Sequence, residues 1–273
     1  ILKADKLIGT DIYLRFQSVG ATVNLMFASV LAEGTTVIHN AAKEAEIENI
    51  ADFLISMGAK IEGAGTDEIT ITGVEKLHGG NITVLPDRIE AGTYIILGAL
   101  VGKNLKITNI IPKHLEALTS KLKDMASDIT INSDNIIISK VDNLKPTNIK
   151  TLVYPGFPTD IGQPMSVLLT QANGTSLFEE TIWENRMGHV PSLNKMGANI
   201  TVKGMSSMTI GPSKLHGCEV VATDLRGGAA LVLAGLTATG TTIVNDVEHI
   251  LRGYESIESK LTNVGAKIEI REI

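Results

Sequence analysis

Gly34-Thr35-Thr36-Val37-Ile38-His39-Asn40 decides the fold, because its pattern returns three times along the chain. The later copies run from Lys103 to Asn109 (KNLKITN), from Gly174 to Glu180 (GTSLFEE) and from Gly240 to Asp246 (GTTIVND), with starts 69, 71 and 66 residues apart. A second marker keeps the same step. It reads Met57-Gly58-Ala59-Lys60-Ile61, Met125-Ala126-Ser127-Asp128-Ile129, Met196-Gly197-Ala198-Asn199-Ile200 and Val264-Gly265-Ala266-Lys267-Ile268, spaced 68, 71 and 68 residues. Two independent markers with one period of about 70 residues identify a repeat architecture.

Each period reads the same way. Residues 19–33, 90–101, 164–172 and 227–238 are Ala, Gly, Leu and Val rich on nearly every side, which predicts a helix buried all round. The Thr and Val/Ile strand follows, then a second helix with a one-sided stripe. That stripe is clearest at Ile250, Tyr254, Ile257, Leu261 and Val264, and its equivalent in the first period is Ile47, Ile50, Leu54 and Met57. The Met/Val-Gly-Ala marker suits a helix stop. Paired strands then close three periods: Lys60–Glu62 with Ile69–Thr72, Ile129–Ile131 with Ile136–Ser139, and Ile200–Val202 with Met208–Ile210. The unit is helix, strand, helix, hairpin, strand, and the class is α/β (α+β).

The chain has 273 residues, 44% hydrophobic and 20% charged, with mean hydropathy +0.19, enough apolar side chain for one large or two ordinary domains. A net charge of −6 leaves no basic field for a phosphate backbone, so nucleic acid is not an expected partner. One cysteine, Cys218, precludes an internal disulfide, and no run of 18 apolar residues suggests a membrane span. The expected compartment is the cytoplasm. The six histidines show no ligand spacing, which gives no expectation of a metal. The glycines of Gly98-Ala99-Leu100-Val101-Gly102-Lys103 are too close for a phosphate loop.

Function is concentrated where each repeat enters its buried helix. These connections are Gln17-Ser18-Val19-Gly20-Ala21-Thr22, Leu85-Pro86-Asp87-Arg88, Phe157-Pro158-Thr159-Asp160 and Thr223-Asp224-Leu225-Arg226. Helix N-termini carry unpaired amides and partial positive charge, so four of them are potential anion or hydroxyl sites. The plainer reading is capping by Ser, Thr and Asp. Arginine placement favours the first reading: of six arginines, Arg88, Arg186, Arg226 and Arg252 fall in these connections or other short loops. Arginine suits two-point recognition of phosphate and carboxylate. The structural alternative is an Asp–Arg pair within each loop, at Asp87–Arg88 and Asp224–Arg226.

Read together, Ser18-Val19-Gly20-Ala21-Thr22, Pro86-Asp87-Arg88-Ile89-Glu90-Ala91-Gly92-Thr93, Tyr154-Pro155-Gly156-Phe157-Pro158-Thr159-Asp160, Glu184-Asn185-Arg186, Ala222-Thr223-Asp224-Leu225-Arg226 and Arg252-Gly253-Tyr254-Glu255 span the chain in order. In these motifs the chain resembles the UDP-N-acetylglucosamine 1-carboxyvinyltransferases, a family of enolpyruvyl transferases that opens peptidoglycan precursor synthesis. The resemblance implies two inside-out α/β barrel domains of three units each, with the active site in the cleft between them. Four units are present, which implies that the first domain is incomplete: residues 1–85 would end a nucleotide-sugar-binding barrel and residues 86–273 form the second. Residues 1–85 would then expose apolar helix surface that two further units cover. The family's reactive-cysteine loop would lie outside this chain, which alone is expected to be inactive.

The resemblance also implies roles. Substrates would be UDP-N-acetylglucosamine and phosphoenolpyruvate, with no metal or organic cofactor. Asp160 would meet the attacking sugar hydroxyl, Asp224 would be a second catalytic carboxylate, and Arg252 would bind phosphoenolpyruvate. Phe16, Gln17, Ser18, Val19, Gly20, Asp87, Arg88, Thr159, Ile182, Arg186 and Arg226 complete the expected substrate contacts. Phe16 stands where the family often has lysine, and Leu251 where several relatives carry aspartate. Arg252 is expected at the start of the last amphipathic helix, off its apolar stripe. The alternatives are a 3-phosphoshikimate carboxyvinyltransferase-like enzyme, against which the first and third motifs weigh, and a non-catalytic binder of a nucleotide sugar.

Overall fold

A computed structural model describes residues 4–271. The chain divides into two compact units, one built on the residues up to Leu85 together with Val153–Pro155, the other on Pro86–Leu152 and the residues from Gly156 onward. The first contains β1 (Asp11–Tyr13), α1 (Val19–Ser29), β2 (Thr35–His39), α2 (Ala45–Ser56), β3 (Lys60–Glu62) and β4 (Glu68–Thr72). Its sheet runs β1-β2-β4-β3, with β1 parallel to β2 and the other pairs antiparallel.

The second unit repeats the plan three times. Its first period holds α3 (Arg88–Val101), β5 (Leu105–Ile107), α4 (Glu116–Asp124), β6 (Asp128–Ile131), β7 (Ile136–Ser139) and β8 (Ile149–Lys150). Next come α5 (Thr159–Leu169), β9 (Gly174–Glu179), α6 (Val190–Lys195), β10 (Ile200–Lys203), β11 (Ser206–Gly211) and β12 (Glu219–Val221). The last has α7 (Leu225–Thr237), β13 (Ile243–Asn245), α8 (Glu248–Leu251) and α9 (Ile257–Asn263). Each closing strand pairs in parallel with the first strand of the following period: β8 with β9, and β12 with β13. The three sheets surround α3, α5 and α7, which pack on one another. Apolar residues on nearly every side of these helices are therefore buried, while the second helices α4, α6, α8 and α9 keep one face exposed.

The Gly-Ala marker has a backbone cause. Gly58, Gly197 and Gly265 have φ of 98°, 99° and 96° just beyond their helices, where a left-handed residue turns the chain back. Ala126 takes the same place at φ 58°, a conformation that costs an L-residue about 1 kcal/mol.

Three expectations are corrected. The helix at 19–33 ends at Ser29 and buries only Thr22, Met26 and Ser29 among its residues, because among the described residues it packs on α2, β2 and β4 without a pair of sister helices around it. Phe27 is 52% exposed. The helix placed at 164–172 starts five residues earlier, at Thr159, so Pro164 lies inside it and withholds the N–H that Asp160 C=O would accept. The final amphipathic helix is two pieces, α8 and α9, broken around Gly253 and a left-handed Ser256. Tyr254, fully buried, sits between them, and Arg252 caps the C-terminus of α8 instead of starting a helix.

Candidate active site

In the first unit, Ser18 is the N-cap of α1, its hydroxyl accepting from Ala21 N–H at 3.3 Å. Phe16 is 70% exposed. Gln17 and Val19 are partly buried and Gly20 is exposed. A Cβ at Gly20 would meet nothing within 4 Å, so packing within the fold does not require this glycine. It leaves the first turn of α1 open to close approach.

The second unit brings the starts of α5 and α7 together. Capping explains two of the acids: Asp87 accepts from Ile89 and Glu90 N–H at the start of α3, and Asp224 from Arg226 and Gly227 N–H at the start of α7. Asp160 is different. Pro158 holds the N-cap position of α5 and Asp160 lies in the first helical turn, so its carboxylate is not spent on the helix. One oxygen accepts from Arg186 Nη2 and the other from Arg226 Nη2, at 3.2 Å for Arg226.

The alternative reading of an Asp224–Arg226 side-chain pair is not what forms. Asp224 takes the backbone N–H of Arg226, while that guanidinium crosses to Asp160 in the preceding repeat. It also lies 5.5 Å from the ring centre of Tyr254, a cation–π contact. Thr93 donates to Ile89 C=O, so the Tyr254 hydroxyl donates to Thr93 at 2.9 Å and ties α3 to the cluster. Arg226 Nη1 is buried without a hydrogen-bond partner among the described residues.

Arg186 reaches the site from the loop between β9 and α6, donating from Nε to Thr159 Oγ1 at 3.2 Å. An open concavity of about 550 Å³ has Glu180, Trp183 and Arg186 in its wall. Ile182, 41% exposed, belongs to the turn before it. Arg88 begins α3 and is partly buried, and Arg252 is exposed at the end of α8. No group of histidine, cysteine and acidic side chains suited to a metal occurs among the described residues.

Sequence reading missed the parts that Glu180 and Gln163 play in holding these ends, the contact of Tyr254 with Arg226, and the buried His189 beside them. Glu180 had a signal, because Ser176, Phe178 and Glu180 alternate onto the buried side of β9 and its extension. Gln163 donates to Asp224 at 3.3 Å. Burial alone would raise the Asp224 carboxyl, but the N–H of Gly227, the Gln163 amide, the N–H of Arg226 and the charge of Arg186 outweigh it and hold the pKa below the ordinary value. His189 is 2% exposed, and neither ring nitrogen has a hydrogen-bond partner among the described residues. Burial pushes its pKa down to about 4, against a weaker upward pull from Asp224 and the nearby Arg186 carbonyl, and it is neutral at pH 7.

These shifts act in different windows. Between 6.5 and about 4 the unfolded chain protonates His189 and the folded one does not, so stability falls as the pH drops, by about 3 kcal/mol in all. Asp224 contributes stability that is present above its unfolded pKa of 3.8 and lost as the pH falls through its lower folded value. Denaturant melts should show His189→Leu flat between pH 6.5 and 4, while Asp224→Asn keeps that slope and changes only the more acidic limb. An unchanged slope in His189→Leu would assign it to other groups.

Comparison with known proteins agrees with this architecture. A family profile described as EPSP synthase (3-phosphoshikimate 1-carboxyvinyltransferase) matches residues 1–261. UDP-N-acetylglucosamine 1-carboxyvinyltransferase 2 of Bacillus subtilis (strain 168) is 54% identical over 268 residues, 98% of this chain and 62% of that protein. UDP-N-acetylglucosamine 1-carboxyvinyltransferase of Clostridium botulinum (strain ATCC 19397 / Type A) is also 54% identical, over 98% of this chain and 64% of its own length. The chain thus spans less than two thirds of these curated relatives. The enolpyruvyl transferase NikO from Streptomyces tendae superposes with a TM-score of 0.90 at 26% identity, covering 97% of this chain and 66% of that one. EPSP synthase from Acinetobacter baumannii shares the fold, with a TM-score of 0.76 at 20% identity over 98% of this chain and 64% of its own. The chain belongs to the enolpyruvyl transferase family that this EPSP synthase profile describes.

Proposed function

We propose that the full-length protein transfers the enolpyruvyl group of phosphoenolpyruvate to the 3′-hydroxyl of UDP-N-acetylglucosamine, releasing phosphate, in the cytoplasm. The observation that carries this reading is Asp160, a carboxylate free of capping and held by two arginines at a helix start. The 54% identity to proteins named for that reaction supports the nucleotide sugar over phosphoshikimate. Among the described residues no helix is long and apolar enough to cross a membrane.

In this reading the 3′-oxygen bonds to C2 of phosphoenolpyruvate while C3 gains a proton. C3 then loses a proton, and the C2–O bond to phosphate breaks. Asp160 accepts the hydroxyl proton, and its carboxylate is poised to do so because its helix makes no call on it. Asp224 is the second carboxylate, and Arg186, Arg226 and Arg252 supply positive charge to the anionic substrate. Thr159, Asp87, Arg88 and Ile182 complete the contacts in this unit, and Phe16, Gln17, Ser18, Val19 and Gly20 serve the nucleotide sugar in the other. No metal or organic cofactor takes part.

Phosphate release by the full-length protein, assayed with each acceptor in turn, tests the assignment. Release with phosphoshikimate but not with UDP-N-acetylglucosamine would replace it. Arg252 gives a residue-level test: exposed at the end of α8, it is not needed to hold the fold. Lysine keeps the charge and loses the planar two-point grip, so Arg252→Lys should weaken phosphoenolpyruvate use at least ~10-fold and leave nucleotide-sugar affinity unchanged. An unaltered phosphoenolpyruvate dependence would make it an ordinary surface charge.

A further inference from the structure

Glu180 is a carboxylate only 2% exposed, with no salt-bridge partner among the described residues. A buried charge survives when enough hydrogen bonds replace its water. Here there are four. Oε1 accepts from the Thr151 hydroxyl at 2.8 Å, Ile182 N–H at 2.7 Å and Trp183 N–H at 3.1 Å. Oε2 accepts from the Thr159 hydroxyl at 2.8 Å.

The two oxygens serve different parts of the site. Oε1 fixes the turn that carries Ile182 and Trp183. Oε2 fixes a direction: an ionised carboxylate only accepts, so the Thr159 hydrogen must point to it, which turns the Thr159 lone pairs toward Arg186 Nε. Arg186 then grips Asp160 from its other end. Every hydrogen in the chain from Glu180 through Thr159 and Arg186 to Asp160 is thereby assigned.

From this geometry we infer that Glu180 is a positioning residue, which aims Arg186 through Thr159 and so holds Asp160 in its working orientation, while anchoring the Ile182 turn with its other oxygen. The inference rests on the reading of Asp160 as the base. An amide at position 180 would keep an oxygen for the three donors on one side. It would then present N–H to Thr159, whose hydroxyl would have to accept from both neighbours, and the chain would lose its direction.

The test is a double-mutant cycle in the full-length protein. Glu180→Gln should lower kcat at least ~10-fold with KM for both substrates nearly unchanged, the scale of lost alignment of one catalytic group. Added to Asp160→Asn it should lower kcat by no more than ~2-fold further, because both changes interrupt one chain. Thr159→Val should reproduce the Glu180→Gln loss and Thr159→Ser should restore most of the rate, and this pair reads the same link should Glu180→Gln fail to fold. A Glu180→Gln loss of the same size with and without Asp160 would mean that Glu180 acts elsewhere and would overturn the inference alone. Absence of enolpyruvyl transfer in the wild-type full-length protein would overturn the functional reading, and this inference with it.

Discussion

Asp160→Asn in the full-length protein should lower turnover by ~10²-fold or more, the scale of a lost general base. The structure removes the simplest competing explanation. Asparagine caps a helix as well as aspartate does, but Pro158, not Asp160, occupies the cap position, so no capping interaction changes. The charge on Arg186 and Arg226 does change surroundings, because asparagine offers one oxygen and turns an N–H₂ toward the second guanidinium. With the Asp160 side chain 35% exposed, solvent offsets much of that loss, and stability should fall by about 1–2 kcal/mol, below the penalty for breaking a fully buried pair. The variant should remain folded at 25 °C, and kcat per folded molecule is the deciding measurement. Normal turnover would remove Asp160 from the chemistry.

Arg226→Lys should be nearly as damaging, lowering kcat/KM for phosphoenolpyruvate by ~10²-fold, or about 2.7 kcal/mol. The guanidinium does two things at once: one nitrogen bonds Asp160 and the plane covers Tyr254, with a further nitrogen left over. A lysine ammonium can reach the carboxylate or the ring, not both, and gives no planar edge to a substrate anion. A purely structural arginine would show a lowered Tm with kcat/KM intact, so steady-state kinetics beside a thermal melt separates the two roles.

The repeat was legible in the sequence because its markers are backbone requirements. A left-handed residue after the second helix can be read from glycine in three of the four periods, with Ala126 in the other, and Thr-rich strands alternate visibly. Burial of α3, α5 and α7 was equally plain from their apolar circumference. The same composition misled for α1, since a residue pattern records what a helix can bury and not how many neighbours this chain supplies. The break at Gly253 was hidden by the periodic Ile250, Tyr254, Ile257 and Leu261, which are buried on either side of an irregular turn.

At the site, the acids and arginines stood out, but their partnerships did not. Local spacing suggests Asp224 with Arg226. Geometry sends that arginine 66 residues back to Asp160, a pairing set by how α5 packs on α7. Glu180 went unremarked for the opposite reason: alternation along β9 marks it as inward-facing, yet a lone glutamate after a strand carries no motif.

Copies of a duplicated unit begin as equals, and two helix starts of the second unit still behave as siblings, each with an aspartate tied to its own backbone at Asp87 and Asp224. The copy between them diverged. There proline holds the cap position and the acid stands two places further in, favoured by the positive end of the helix but not bound to it. The copies thus share one scaffold and differ in whether the carboxylate at the helix start is tied to its own backbone. The copies are accordingly not interchangeable: transplanting the Asp87 connection into the middle position should preserve the architecture while tying the acid to the backbone of its own helix and taking it away from the Arg186 and Arg226 guanidinium groups.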